Sequence, residues 1–102
     1  MSDIDVQLKL SAQRALLGNV TPPLRHASIE LKNNKIVWQC IYDVDAIEDD
    51  LELMSVSGAE IIADYPPEYG YEEIIVIHPF PEKIESLKNP IYFRNENNYY
   101  KD

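Results

Sequence analysis

The side chains in this sequence that could do chemistry are mainly carboxylates, and they are gathered in one half of the chain. Residues 36–81 contain eleven Asp or Glu and no Lys or Arg, whereas the remaining residues hold seven acids and nine bases. The net charge of −9 therefore arises in residues 36–81, which we call the acidic half. The field of such a segment repels nucleic acids and anionic membranes, and it attracts basic proteins.

The densest group of carboxylates lies at the start of a predicted helix. The helix dipole explains part of this group, because it favours carboxylates in the first turn. Asp45 and Asp49, and likewise Glu48 and Glu52, are nevertheless like-charged pairs four residues apart, and each pair costs about 0.2–0.5 kcal/mol. No Lys or Arg lies nearby in the sequence to offset this cost. The surplus of negative charge therefore favours a role in binding.

Metal-dependent and catalytic sites fit the sequence poorly. Asp43-Val-Asp45 begins like a calcium-binding loop, but Ile47 and Glu48 stand where a third ligand and a glycine are needed. Neither histidine has a second His or Cys at ligand spacing, and no Ser or Cys lies in a nucleophile motif. The three glycines are too scattered to form a phosphate-binding loop. We therefore expect no metal, no cofactor and no enzymatic activity; an enzyme with an acidic cleft is the least favoured interpretation.

A group of three tyrosines forms a second candidate surface. Tyr65, Tyr69 and Tyr71 surround a Pro-Pro pair and a glycine just after the second predicted helix. Tyrosines in this position either pack the loop against the helix end or, where they are exposed beside carboxylates, contribute to protein-binding surfaces. The sequence thus predicts partner-binding patches at both ends of the helix. Their residues are Asp43, Asp45, Glu48, Asp49, Asp50, Glu52, Asp64, Tyr65, Glu68, Tyr69, Tyr71 and Glu72.

The first element is predicted as a helix from Asp5 to Leu17. Residues 12–17 are strong helix formers, and Gly18 is a natural C-terminal stop. Apolar and polar residues alternate over positions 4–10, however, and this alternation is typical of a strand. A strand therefore stays the alternative for these first residues.

A β-hairpin is the clearest local structure in the sequence. Its strands, Arg25–Lys32 and Lys35–Asp43, flank two asparagines that tolerate the positive φ of a tight turn. A two-residue loop pairs Leu31 with Ile36, Ile29 with Trp38 and Ala27 with Cys40, which places these apolar side chains on one face. Turn chemistry and hydrophobic pattern therefore predict the same register.

The second helix is predicted from Ala46 to Asp64. Asp45 is a suitable N-cap, and Glu48 three residues later completes a capping box. Ile47 falls on its apolar face at helical spacing. Two prolines at 66 and 67 end the helix.

Two strands complete the predicted fold. Tyr71–His78 is the first, and its run Ile74–Ile77 indicates burial on both faces of the sheet. Ile91–Arg94 is the second, and residues 95–102 are expected to form a flexible polar tail. The order α-β-β-α-β-β predicts one α+β domain over residues 1–102, with a four-stranded, mainly antiparallel sheet and both helices on one face.

Other general features indicate a cytoplasmic protein. The sequence has no apolar run long enough to span a membrane and no segment that resembles a signal peptide. Cys40 is the only cysteine, so it cannot form an internal disulfide, and its apolar neighbours indicate a buried side chain.

Two stretches of the chain resemble a known family. They are Ala15-Leu-Leu-Gly-Asn-Val-Thr-Pro-Pro-Leu-Arg25 and Ala59-Glu-Ile-Ile-Ala-Asp-Tyr-Pro66, within a similarity that covers residues 10–93. They are similar to short bacterial proteins that include small acidic immunity proteins encoded beside contact-dependent growth inhibition toxins. Both stretches are helix ends followed by proline, so the resemblance carries over no catalytic residue. It implies a non-catalytic protein that binds a cognate toxin.

The charge pattern and the resemblance together predict an immunity protein that neutralises a basic toxin domain, such as a nuclease, through an acidic surface. Its carboxylates would replace nucleic-acid phosphates or pair with Lys and Arg around the toxin's active site. The alternative is a non-catalytic adaptor or regulatory module that forms a homodimer through an outer sheet face containing Val37 and Ile41 and through the edge strand. Neither interpretation involves binding to nucleic acid or to a membrane.

Overall fold

The computed structural model describes residues 3–96 of the chain, which form two helices and a four-stranded sheet. The sheet order is β3-β2-β1-β4; β1 is antiparallel to β2 and β4, and β2 is parallel to β3. The predicted α+β class and element order are confirmed, and the sheet is mixed, with one parallel pair. The elements are α1 Asp3–Leu16, β1 Leu24–Lys32, β2 Lys35–Tyr42, α2 Glu48–Ala63, β3 Gly70–Ile77 and β4 Asn89–Phe93.

The core lies between the sheet and the two helices. Leu8 of α1 and Met54 and Ile61 of α2 are fully buried in one cluster with Trp38 of β2. The indole Nε1–H of Trp38 donates to the carbonyl of Met54 at 3.2 Å. This bond gives a buried polar group its partner and fixes α2 over β2.

Residues 3–16 are helical, so the strand alternative for positions 4–10 is wrong. In α1, Leu8 and Ala12 face the core, whereas Val6 and Leu10 are exposed. Burial at positions 8 and 12 follows helical spacing, because residues four apart share a face of a helix.

The hairpin has the predicted register. Leu31 pairs with Ile36 and Ile29 pairs with Trp38. Asn33 and Asn34 have φ of 52° and 62°, so both turn residues adopt the left-handed conformation that a type I′ turn requires. Cys40, as expected, is fully buried and has no disulfide.

The second helix starts later than predicted. Its N-cap is Ile47 rather than Asp45, and the carboxylate of Asp50 accepts the backbone N–H of Ile47 at 2.9 Å. The preceding residues form a turn, in which the amide of Ala46 donates to the carbonyl of Asp43 at 3.2 Å. Because Asp43 is held in place by other contacts described below, the chain completes this turn before the helix begins.

The third strand is an edge strand, so the predicted burial of its apolar run on both faces is wrong. β3 pairs only with β2 among residues 3–96. Ile74, Ile75 and Val76 are half-buried, and Ile77 is exposed. A continuous apolar run is typical of a central parallel strand; here the other side of the hairpin is already occupied by β4.

The connection from β3 to β4 crosses the sheet on the face opposite the helices. These two strands are at opposite edges, so residues 78–88, which we call the crossing segment, must pass over β2 and β1. The side-chain amide of Gln39 donates to the carbonyl of Glu85 at 2.9 Å, and the amide of Leu87 donates to the hydroxyl of Ser28 at 3.0 Å. The crossing segment is thereby attached to both central strands.

This route covers the sheet face that the homodimer alternative uses, although it does not cover the edge strand. Val37 and Ile41 are only 5% and 3% exposed. The expectation that they offer an apolar surface for a second copy is therefore wrong, because the chain covers this face with its own residues.

Candidate functional site

Three carboxylates of the acidic half are paired with cations from outside it. These ion pairs use charge that the sequence pattern alone would leave free for a partner. They join Asp43 to Arg94 at 2.8 Å, Asp64 to Arg14 at 2.5 Å and Glu72 to Lys35 at 2.7 Å.

Asp43 belongs to a partly buried ionic network at one end of the sheet. Arg94 contacts both Asp43 and Glu96, the latter at 3.1 Å. Arg25, which is 2% exposed, donates its Nε–H to Glu96 at 2.7 Å. Two arginines and two carboxylates thus neutralise one another. Glu96 had been expected in the flexible tail, but it is anchored here; residues 97–102 lie outside the described part of the chain.

The surroundings of Asp43 identify it as a structural residue. Its carboxylate also accepts the backbone N–H groups of Val44 and Phe80, at 2.8 and 3.2 Å. Burial by itself would raise the pKa of Asp43, but the hydrogen bonds from Arg94 and from the two amides outweigh burial and lower it. Asp43 therefore ties the start of the crossing segment to the turn before α2.

Asp64 holds the two helices together. It accepts hydrogen bonds from the hydroxyl of Ser11 and the guanidinium of Arg14, both on α1. The bond from Ser11 is the main cause that lowers the pKa of Asp64; burial opposes it, and Arg14 adds to it. The same residues line a shallow groove of about 340 Å³ together with Leu10 and Tyr65.

The tyrosines after α2 pack against the protein more than they face solvent. The rings of Tyr65 and Tyr69 meet edge to face at 5.8 Å, and both side chains are half-buried. Tyr71 lies over Gly58 of α2 and donates its hydroxyl to Glu73 at 2.7 Å. Burial, together with the nearby carboxylate of Glu73, raises the pKa of Tyr71.

The carboxylates at the start of α2 remain exposed to solvent. Asp45, Glu48, Asp49 and Glu52 make no side-chain hydrogen bond or ion pair within residues 3–96. Two large aliphatic side chains stand among them and are 70% and 61% exposed. We call this surface the acidic–apolar patch: Val44, Asp45, Ile47, Glu48, Asp49 and Glu52.

Sequence reasoning missed the apolar part of this patch. Ile47 was assigned to the buried face of the helix, but it is the N-cap and lies outside the helical repeat. Val44 lies in the turn before it, where neither helical nor strand spacing applies. One sequence signal could have identified both residues. Each is an aliphatic residue that is adjacent to a carboxylate and does not fit the apolar spacing of a helix or a strand.

The two predicted partner-binding patches are separate surfaces. One lies at the start and the other at the end of α2, whose 16 residues span about 24 Å. At the second patch, Asp64, Glu72 and Tyr71 have the internal contacts given above, and Glu68 is exposed.

Within the described residues, no helix is both long and apolar enough to cross a membrane. The same residues contain no group of three His, Cys, Asp or Glu side chains placed to hold a metal ion.

The sequence matches a family model over almost its full length. The model is that of the MafI2 immunity protein, and the match covers residues 5–96. The chain belongs to the MafI2 immunity protein family. The matched range includes all strands, the whole of α2 and all but the first two residues of α1. No curated protein matches the chain.

Membership of the MafI2 family confirms the resemblance to immunity proteins. The function of this MafI2 protein is toxin-neutralising immunity, and its partner is a cognate toxin. The more specific assignment to the contact-dependent growth inhibition type stays a prediction.

Proposed function

We propose that this MafI2 immunity protein binds a basic toxin domain, such as a nuclease, through the acidic–apolar patch at the start of α2. The observation that supports this most directly is that four carboxylates without internal partners lie beside two exposed aliphatic side chains. Apolar contacts supply affinity, whereas complementary charge supplies specificity and rapid association.

The charge of the patch suits a partner that normally binds phosphates. A nuclease presents Lys and Arg to the nucleic-acid backbone. Carboxylates spaced along a helix can occupy the same cations, and the bound immunity protein then blocks access of the substrate. Because the rest of the acidic half adds to the field, the toxin is steered toward this end of the molecule.

The second predicted patch is proposed to contribute less. Asp64 and Glu72 already have cationic partners, so binding the toxin through them would require breaking an internal ion pair. Glu68 is exposed, and Tyr69 is half-buried beside it. We therefore expect these two residues to lie at the rim of the interface, where substitutions cost little.

The proposal is tested by neutralising the patch. The variant Asp45→Asn/Glu48→Gln/Asp49→Asn is expected to weaken binding of the toxin domain encoded by the adjacent gene about 10- to 100-fold, as loss of several charge contacts implies. Calorimetry at two salt concentrations measures the affinity. The loss is expected to be larger at low salt, because screening already weakens these contacts at high salt.

A matched control removes the same charge elsewhere. Glu60→Gln/Glu82→Gln/Glu85→Gln also changes the net charge by three, at exposed positions outside the patch. We expect this control to change the affinity by less than about threefold. Equal losses in the two variants would show that only net charge matters, and absence of binding by the wild-type protein would refute the proposed partner.

A further inference from the structure

The outer side of β3 is an unpaired strand edge. The amides of Gly70 and His78 donate to the carbonyls of Asn34 and Tyr42, at 3.0 and 2.9 Å. Backbone groups alternate between the two sides of a strand, so the even-numbered residues of β3 face β2. The N–H and C=O groups of residues 71, 73, 75 and 77 therefore point away from the sheet, where no other strand of residues 3–96 pairs with them.

This edge lacks most of the features that usually protect an edge strand. Proteins block such edges with charged side chains, above all Lys, and with Pro, bulges or short strands. The charged side chains of β3 are Glu72 and Glu73. β3 is eight residues long, contains no Lys or Pro, and pairs with β2 in an unbroken register. The opposite edge differs: β4 has five residues, contains Pro90 and has an irregular register with β1. Of the two sheet edges formed by residues 3–96, the β3 edge thus presents the regular row of donors and acceptors.

Carboxylates without cationic partners border this edge. Glu73 accepts hydrogen bonds from two neutral donors, Ser55 of α2 and Tyr71, both at 2.7 Å. Neither donor neutralises the carboxylate. Glu73 therefore places a carboxylate without a cationic partner beside the unpaired edge.

The start of α2 adds two more carboxylates along the same line. Ser55 contacts Glu73 and Gly58 lies against Tyr71, so α2 runs antiparallel to β3. Along the helix axis, Glu52 and Glu48 lie about 4.5 Å and 10.5 Å before Ser55, whereas residues 75 and 77 lie about 6.6 Å and 13.2 Å beyond Glu73 along the strand. Glu52 therefore comes between the levels of residues 73 and 75, and Glu48 between those of residues 75 and 77, on the flank of the helix that carries Ser55.

We propose that the free edge of β3 binds an extended, basic segment of the toxin as a fifth strand of the sheet. This inference rests on the proposed function and deepens it, because it specifies how the toxin docks. Main-chain hydrogen bonds to residues 71–77 supply affinity, as in other cases of strand addition. Side chains on one face of the added strand lie beside Glu48, Glu52 and Glu73, so the segment carries Lys or Arg at every second position.

Amide hydrogen exchange measured by NMR tests the mode of binding. In the free protein, the amides of Glu72, Ile74 and Val76 are expected to exchange slowly and those of Glu73 and Ile75 quickly. In the complex with the toxin domain encoded by the adjacent gene, the second pair is expected to slow about tenfold or more. A complex that forms without this slowing overturns the inference but leaves the proposed function intact, whereas failure to form any complex overturns both.

Other occupants of the edge give a different result. If the odd-numbered amides are already slow in the free protein, and more so at higher protein concentration, a second copy of the chain occupies the edge. That outcome also overturns the inference.

A substitution at the end of the strand provides an independent test. Ile77 is 44% exposed and its N–H points away from β2, so Ile77→Pro removes one edge donor and leaves the pairing with β2 in place. We expect Ile77→Pro to bind the toxin domain about fivefold or more weakly than the control Ile77→Val, which keeps the donor. Circular dichroism checks that both variants are folded, and equal affinities of the two folded variants would overturn the inference.

Discussion

Asp43 and Asp45 show how two identical residues only two positions apart acquire different roles. Asp43 is bound by Arg94 and by two backbone amides, whereas Asp45 is exposed and has no side-chain partner within residues 3–96. The sequence predicts both as partner-binding residues because it shows their charge but not the contact of Asp43 with Arg94, the residue after the last strand. Only Asp45 remains in the acidic–apolar patch.

Gly58 is a position where a single methyl group decides how α2 lies on β3. A Cβ at this position would stand 1.8 Å from the hydroxyl oxygen of Tyr71 and 2.9 Å from Cζ. Gly58→Ala is therefore expected to lower the free energy of unfolding by about 1–3 kcal/mol. An exposed helix position would instead gain up to about 1 kcal/mol from the same change. Urea denaturation measures the difference.

A second variant tests whether the clash with the Tyr71 hydroxyl causes the destabilisation by Gly58→Ala, or whether position 58 tolerates no substitution. In a Tyr71→Phe background the hydroxyl is absent, so adding Gly58→Ala is expected to cost less than it does in the wild type. The interaction energy from this double-mutant cycle isolates the clash. The same penalty in both backgrounds would contradict it.

At the scale of the elements, the hairpin and both helices could be predicted from local sequence. The two asparagines accept positive φ, and the alternating strands fit only one register, so local information is sufficient. The start of α2 could not be predicted in the same way. A suitable capping residue at position 45 was overruled by the turn that the ionic network holds at Asp43.

The crossing segment is the element that sequence reasoning did not anticipate. His78 is predicted to end the third strand, but the residues after it have no periodic pattern, and the importance of the segment follows only from the strand order. Once β3 and β4 occupy opposite edges, the connection must cover the outer face.

Ser28 tests how strongly this segment is held. Its hydroxyl is fully buried and accepts the amide of Leu87 at 3.0 Å. Ser28→Ala leaves that amide without its partner and is expected to lower the free energy of unfolding by about 1–2 kcal/mol. The exposed neighbour Ser86, whose hydroxyl donates to the adjacent carbonyl of Leu87, serves as control; Ser86→Ala is expected to change stability by less than about 0.5 kcal/mol. Similar effects of the two substitutions would show that the crossing segment is held by other contacts.

At the scale of the whole molecule, stability is expected to fall as the pH is lowered. Burial lowers the pKa of His26 below 6.5, although the backbone of Tyr92 opposes this shift. The unfolded chain therefore takes up a proton near pH 6.5 that the folded protein does not, and stability is lost as the pH falls from 6.5 toward the folded pKa.

The lowered pKa values of Asp43, Asp64 and Glu96 add a second loss at more acidic pH. Their contribution is present above the unfolded values of 3.8 for Asp and 4.5 for Glu, and it disappears as the pH falls through the folded values. The free energy of unfolding is thus expected to decline in two separate pH ranges, the first from His26 and the second from the three carboxylates.

Histidine variants test whether His26 causes the decline in the first pH range. His26→Gln is expected to remove the decline that begins as the pH falls below about 6.5, because Gln does not take up a proton in either state. His78, which is exposed beside Glu82, is the matched control; His78→Gln is expected to leave the decline in place. A decline that persists in His26→Gln would assign it to other groups. Urea denaturation at several pH values measures both variants.

The sequence by itself determined the class of fold, the hairpin register, the segregation of charge and the resemblance to immunity proteins. The first three of these features depend on periodicity, turn chemistry and composition, which are local or additive, whereas the resemblance depends on two matching stretches of sequence. The tertiary structure decided which carboxylates remain available. Cations from α1, from the start of β2 and from the residue after β4 neutralise Asp64, Glu72 and Asp43, and such pairings over long sequence separations leave no mark in a local pattern. The tertiary structure also decided that β3 is an edge, because strand order is a property of the whole sheet.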